Sequence, residues 1–214
     1  MSEPSVFRSS AIMAVGTILS RVTGLARNLL LVAALGTAII GDTYQVANTV
    51  PTIVYILVAG GALNAVFVPQ IVREMKSDDG GRSYTSQLAT ATFTILGTAT
   101  LLGIIFAPLL VRLYASKFGG AGLESEFDLT VLFTRYCLPQ VLFLGLFTLF
   151  GQIANARGSF GPMMWAPILN NLVVIGVLIG FVVIAPDAKS GSITAGAKAL
   201  LGIGTSIGAL VQAA

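Results

Sequence analysis

Hydrophobic positions along this chain run on rather than alternate. Stretches such as NLLLVAALG, residues 28–36, and ILNNLVVIGVLIGFVVI, residues 168–184, carry apolar side chains on every face of a helix and leave no polar side to turn toward water. Runs of about 20 such residues cross roughly 30 Å of hydrocarbon at 1.5 Å per residue. Backbone in lipid must satisfy its own hydrogen bonds, and the runs lack the alternation of barrel strands, so each is expected to be a helix. The fold class this predicts is all-α, a polytopic bundle of about six transmembrane helices: Ser9–Leu35, Thr43–Met75, Tyr84–Tyr114, Phe127–Ala156, Pro162–Ile184 and 193–214.

The second segment is too long for one straight span. It holds Pro51 and then AGGALN, Ala59 to Asn64, where a kink or unwound turn is expected. Pro108, Pro139 and Pro167 fall inside other segments and imply either ordinary kinks or the bending helices of a transporter. GIGTSIG, residues 202–208, has isoleucine where a dinucleotide-binding loop needs its last glycine, and no strand precedes it. Gly204 and Gly208, like Gly176 and Gly180, instead suit close helix packing.

Composition sharpens this picture. The chain is 55% hydrophobic and 10% charged with mean hydropathy +0.89, and its net charge of +3 comes from lysines and arginines scattered singly, a pattern of membrane topology rather than nucleic-acid binding. With a cytoplasmic N-terminus, Arg8, Arg73, Lys76, Arg82 and Arg157 fall on the cytoplasmic side and Arg112, Lys117 and Lys189 on the other, a five-to-three bias in the expected direction. Arg21 interrupts the first apolar stretch and no small-residue cleavage site follows, so an uncleaved first helix is expected. There is no histidine, and Cys137 is the lone cysteine, so zinc sites, catalytic triads and an intramolecular disulfide are excluded and no cofactor or metal is expected. The chain ends in apolar TSIGALVQAA, as though it continued.

Candidate chemistry lies in SRVTGLARN, residues 20–28. An arginine at the centre of a membrane helix costs about 2.5 to 3.5 kcal/mol, so Arg21 and Arg27 together cost roughly 5 to 7. Several apolar positions flank them on each side, which leaves little scope for snorkelling. At 100° per residue Arg21, Gly24 and Asn28 share a face and Arg27 lies about 120° round, so both arginines can line one wide hydrated cavity. No acid in that helix neutralises them, and Asp42 is the nearest candidate. An unpaired cationic cavity suits an anion, and the planar, permanently charged guanidinium holds two phosphate oxygens at once. Asn48 and Thr52 of the second segment and Arg135 of the fourth are the polar residues at membrane depth assigned to the same site; Asn64, Gln140, Gln152, Asn155, Asn170 and Asn171 are read mainly as inter-helix hydrogen bonds.

Those residues carry a resemblance. SRVTGLARN, GDTYQVANTVP and AGGALNAVFVPQIVRE resemble, in order and spacing, the MviN/MurJ family patterns SRxxGxxRD, xDAFxxAxxxP and EGAxxxAFVPxxxE, and ILNNLVVIG resembles a later AxxNxxG-like pattern. The resemblance is most specific in the first 75 residues. It implies one N-terminal lobe of a two-lobed helix bundle in the bacterial cytoplasmic membrane, a cationic central cavity, and translocation of lipid II, the undecaprenyl-diphosphate-linked peptidoglycan precursor, by alternating access. On that resemblance Arg21 and Arg27 match the cavity arginines and Asp42 the acid opening the second helix; implied partners are the lipid-linked diphosphate, membrane lipids, a C-terminal lobe and cell-wall synthesis enzymes, with no nucleic acid and no catalysis. Asn28 stands where the pattern has aspartate, Tyr55 and Ile56 where many members have arginines, and Gly60 where it has glutamate. A compensated change within the family and a different lipid-linked substrate both fit those departures. The competing classes are an exporter of drugs or other oligosaccharides, for which acidic cavity residues would be expected, and a lobe with an assembly role only.

Overall fold

The structure is a computed structural model, and it describes residues 3–36, 39–59, 67–74, 80–120, 122–186 and 193–214. Its helices are α1 (Glu3–Leu35), α2 (Ile39–Ala59), α3 (Phe67–Glu74), α4 (Arg82–Ile105), α5 (Ala107–Tyr114), α6 (Glu124–Cys137), α7 (Gln140–Ala156), α8 (Gly161–Ile184) and α9 (Ala195–Ala213), with a 3-10 turn at Ser116–Gly119. No strand occurs among the described residues. The all-helical expectation holds, and the stretches Ala11–Leu35, Arg82–Ile105, Glu124–Ala156 and Gly161–Ile184 are long and apolar enough to cross a membrane.

Prolines divide two of the expected segments. The run through 84–114 breaks at Phe106 into α4 and α5, with Pro108 in the first turn of α5, where its missing N–H costs nothing. The run through 127–156 breaks at Leu138 and Pro139 into α6 and α7. Pro51 and Pro167 stay inside α2 and α8 without ending them. Residues 60–66, where the second segment was expected to unwind, and residue 75 at its end lie outside the described residues. At the other end of the chain Thr194 caps α9, its side chain accepting from the Ala197 N–H at 3.3 Å.

Packing follows a chain of neighbours. α1 lies along α8, α8 along α9, and α9 against α6 and α7, while α2 packs on α6 and α7 and α4 on α7. α1 touches α2 only sparingly, so the first two helices share a connection but not a long interface. What joins them is a core in which Ala34 and Leu35 of α1 meet Ile40, Tyr44 and Ala47 of α2 with Phe133, Val174, Leu178 and Leu201. A second core between α2, α4, α5 and the α6–α7 joint contains Val50, Leu96, Val111, Val131, Leu138 and Val141.

Polar contacts lock this arrangement where lipid offers no hydrophobic drive between helices. Buried Tyr44 stands edge-on to Phe133 at 5.9 Å and its hydroxyl lies 2.6 Å from Thr205 Oγ1. Thr205 donates to the Leu201 carbonyl at 2.7 Å, so the tyrosine O–H is the donor of the pair. Tyr44→Phe keeps the ring and removes that bond, and is expected to lower stability by about 1 kcal/mol in a detergent thermal melt. A loss below a few tenths would show that the bond contributes nothing to the α2–α9 contact.

Gly204 and Gly208 of α9 fit the close packing expected for them, and Gly202 packs as closely. A Cβ on Gly204 would lie 2.5 Å from Val177 Cγ2, one on Gly202 2.6 Å from Tyr136 Cβ, and one on Gly208 against Asn170. Gly176 differs, because a Cβ there would meet nothing within 4 Å.

Candidate functional site

α1 presents two kinds of surface. Gly16, Thr17, Ser20, Thr23, Gly24 and Arg27 recur at spacings of one to four residues that stack them along one side. This side meets α8: a Cβ on Gly16 would be 3.0 Å from Trp165 Nε1, Thr17 Oγ1 lies 3.5 Å from Met164 Sδ, and Asn171 bonds to Ser20 and Thr23. The opposite side exposes Val15, Ile18, Val22, Leu25, Leu29 and Val32, an apolar face suited to lipid or another helix.

Arg21 sits where those surfaces meet, exposed and unpaired among the described residues. Arg27 is half-exposed, and its Nη2 and Nε lie 3.1 and 3.4 Å from Asn28 Oδ1. Asn28 therefore orients the guanidinium without neutralising it, as an aspartate there would. Neither Arg21 nor Arg27 meets an acidic side chain among the described residues.

The remaining expected residues divide into separate sets. Asp42 forms an ion pair with Lys117 at 3.0 Å, the side chains 57% and 63% exposed, so it does not turn to the arginines. Asn48 accepts from Gln140 Nε2 at 3.2 Å and ties α2 to α7. Thr52 is exposed on α2, and Arg135 is exposed on α6, on the stripe that holds Asp128 seven residues earlier. Among the described residues no hydrogen bond or ion pair joins Arg21 or Arg27 to Asp42, Asn48, Thr52 or Arg135. Tyr55, at a position where the family pattern carries arginine, donates to Thr148 Oγ1 at 2.9 Å, and Ile56 is exposed. Gly60 lies outside the described residues.

The inter-helix hydrogen bond expected of Asn171 is present and holds α1 beside Arg21 and Arg27, whereas the bond Ser206 of α9 donates to the Tyr136 carbonyl at 2.6 Å had no counterpart in the sequence reading. The hydroxyls of GIGTSIG and the pair Asn170–Asn171 were the visible signals, but nothing in the sequence says which helix each faces. No cluster of three or more metal-ligating side chains occurs among the described residues.

Fold and site together define the class: a multi-pass, all-helical membrane protein with unneutralised arginines on its first apolar helix. The sequence model of the family described as Lipid II flippase MurJ matches residues 31–214, and the chain belongs to that family. The match begins four residues after Arg27. Similar proteins include a "Lipid II flippase MurJ" of Burkholderia cenocepacia, 35% identical over 86% of this chain and 35% of its own length. A "Probable lipid II flippase MurJ" of Rhizobium tropici is 33% identical over 76% of this chain and 31% of its own length. A third, named likewise, from Haemophilus influenzae is 25% identical over 92% of this chain. The chain spans about a third of the length of the curated relatives it matches.

Proposed function

We propose that this chain is the N-terminal lobe of a flippase that moves lipid II across the bacterial cytoplasmic membrane, with Arg21 and Arg27 holding the diphosphate. The observation that carries the reading is the pair of uncompensated guanidiniums on an apolar helix, a costly arrangement unless an anion visits them. Membership of a family whose relatives are named lipid II flippases supplies the substrate class. The chain carries six spans, α1, α2, α4–α5, α6–α7, α8 and α9, with a cytoplasmic N-terminus, and it has no catalytic role.

In this reading the arginines take the diphosphate from the inner leaflet and the sugar-peptide head enters water between α1 and α2, which touch only sparingly. The polyprenyl tail stays in lipid beside the apolar face of α1. A second lobe rocks against this one to release the head outside. Asn48, Thr52 and Arg135 line the path rather than the diphosphate site, and Asp42 serves the far end of the lobe through Lys117. Membrane potential, worth about 2.3 kcal/mol per charge at 100 mV, suffices to bias two states of similar free energy. A drug/cation exporter fits less well, because Asp42, Glu124 and Glu126 sit in the first turns of their helices, Asp128 directly follows that turn, and Glu74 ends α3, all at helix ends rather than at depth.

A chimera tests the reading. This chain, joined in place of the matching third of the Burkholderia cenocepacia relative, is expected to rescue a bacterium depleted of its own lipid II flippase. A chimera that inserts at normal levels and gives no rescue would assign the lobe to a different lipid-linked substrate.

A further inference from the structure

Asn171 is 7% exposed on α8, and its amide nitrogen lies 3.1 Å from the Ser20 carbonyl oxygen and 3.1 Å from Thr23 Oγ1. Both amide hydrogens are thus used on one turn of α1. Thr23 in turn donates to the Leu19 carbonyl at 2.8 Å, so its hydroxyl is free to accept from Asn171. Ser20 directly precedes Arg21, and Thr23 and Gly24 lie between the two arginines. A Cβ on Gly24 would sit 3.5 Å from the same amide nitrogen, at ordinary contact distance, so the side chain lies flat against this turn.

Between Thr17, which meets Met164, and the core at Ala34 and Leu35, the hydrogen bonds of Asn171 hold α1 to α8. Along that stretch α1 turns Ser20, Thr23 and Gly24 toward α8, and only 11% of its most apolar stretch is buried. A turn by one residue step carries each arginine through about 100° around the helix, away from its present neighbours. We propose that Asn171 is the positioning residue of the arginine pair: by clamping the turn between them to α8 it fixes the bearing of Arg21 and Arg27. The inference rests on the reading of that pair as the diphosphate site. It makes α1 and α8 one rigid unit, with the guanidiniums carried on α8 rather than on α2.

The test uses this chain in nanodiscs titrated with farnesyl diphosphate. Asn171→Leu, of similar volume, is expected to weaken binding about three- to tenfold, the range that single hydrogen bonds between membrane helices span. Thr23→Val should weaken it in the same direction and Thr23→Ser should restore it. Made in an Arg21→Ala/Arg27→Ala background, Asn171→Leu should weaken residual binding no further. Parent-like binding by Asn171→Leu and Thr23→Val, or an equal loss with and without the arginines, would overturn the proposal. Amide hydrogen exchange at residues 20–27 gives a readout that needs no ligand. If the arginine variants bind like the parent, the diphosphate reading fails, and faster exchange at those amides in Asn171→Leu supports the clamp while unchanged exchange overturns it too. Thr23→Val stands in if Asn171→Leu does not assemble.

Discussion

Arg21→Ala/Arg27→Ala is expected to lose farnesyl diphosphate binding by about a hundredfold or more without losing the fold. Each arginine offers charge-assisted hydrogen bonds worth about 1.5 to 3 kcal/mol to a phosphate held away from bulk water, and the two together account for two to four decades in affinity. Stability should move the other way. Neither guanidinium has a carboxylate partner among the described residues, so truncation leaves no buried charge behind and removes part of the cost of placing cations at membrane depth. Titration beside a thermal melt checks both halves. A double variant that binds as well as the parent, or that unfolds, would make the arginines structural. Replacement by lysine should recover only part of the affinity, since an ammonium supplies charge without the planar fork.

The second large effect is on assembly. Gly204→Leu should prevent the lobe from forming its native helix packing. A Cβ at Gly204 already falls 2.5 Å from Val177 Cγ2 and 2.9 Å from Cγ1, and a β-branched valine in a helix has one strongly preferred rotamer, so it does not swing aside. α9 and α8 would have to separate, which also strains the Tyr44–Thr205 and Asn170–Gln212 bonds on the same helix. Overpacking of this kind costs about 1 to 3 kcal/mol for a single methyl-sized clash and more for a branched side chain. Gly176→Leu, at a glycine with open space around it, is the control and should be nearly neutral in the same melt. Equal melting of the two variants would show that the glycine face of α9 does not set its distance from α8.

Much of this architecture was legible because apolar run length is dictated by bilayer thickness. Where a proline ends a helix and where it only bends one was not legible: Pro108 and Pro139 mark breaks, while Pro51 and Pro167 ride inside continuous helices. The outcome depends on whether neighbouring groups satisfy the carbonyls the ring frees, and those neighbours are distant in sequence. The same holds for the site. Arg21 and Arg27 announce themselves as charges in an apolar run, but their bearing is set by Asn171, and the Asn171–Thr23 contact spans 148 positions. Asp42 looked like their counter-ion by proximity along the chain, whereas in space Lys117 holds it. Local sequence names the groups, and tertiary contact decides which of them meet.

The most direct measurement compares farnesyl diphosphate with farnesol for binding to the unaltered chain in nanodiscs. The two ligands share a tail and differ only in the charged head. An α1 site built on Arg21 and Arg27 predicts saturable binding of the diphosphate that weakens as salt rises, and no saturable binding of the alcohol. Equal binding of both ligands, unaffected by salt, would mean that the chain recognises the tail alone and would contradict a diphosphate site on α1.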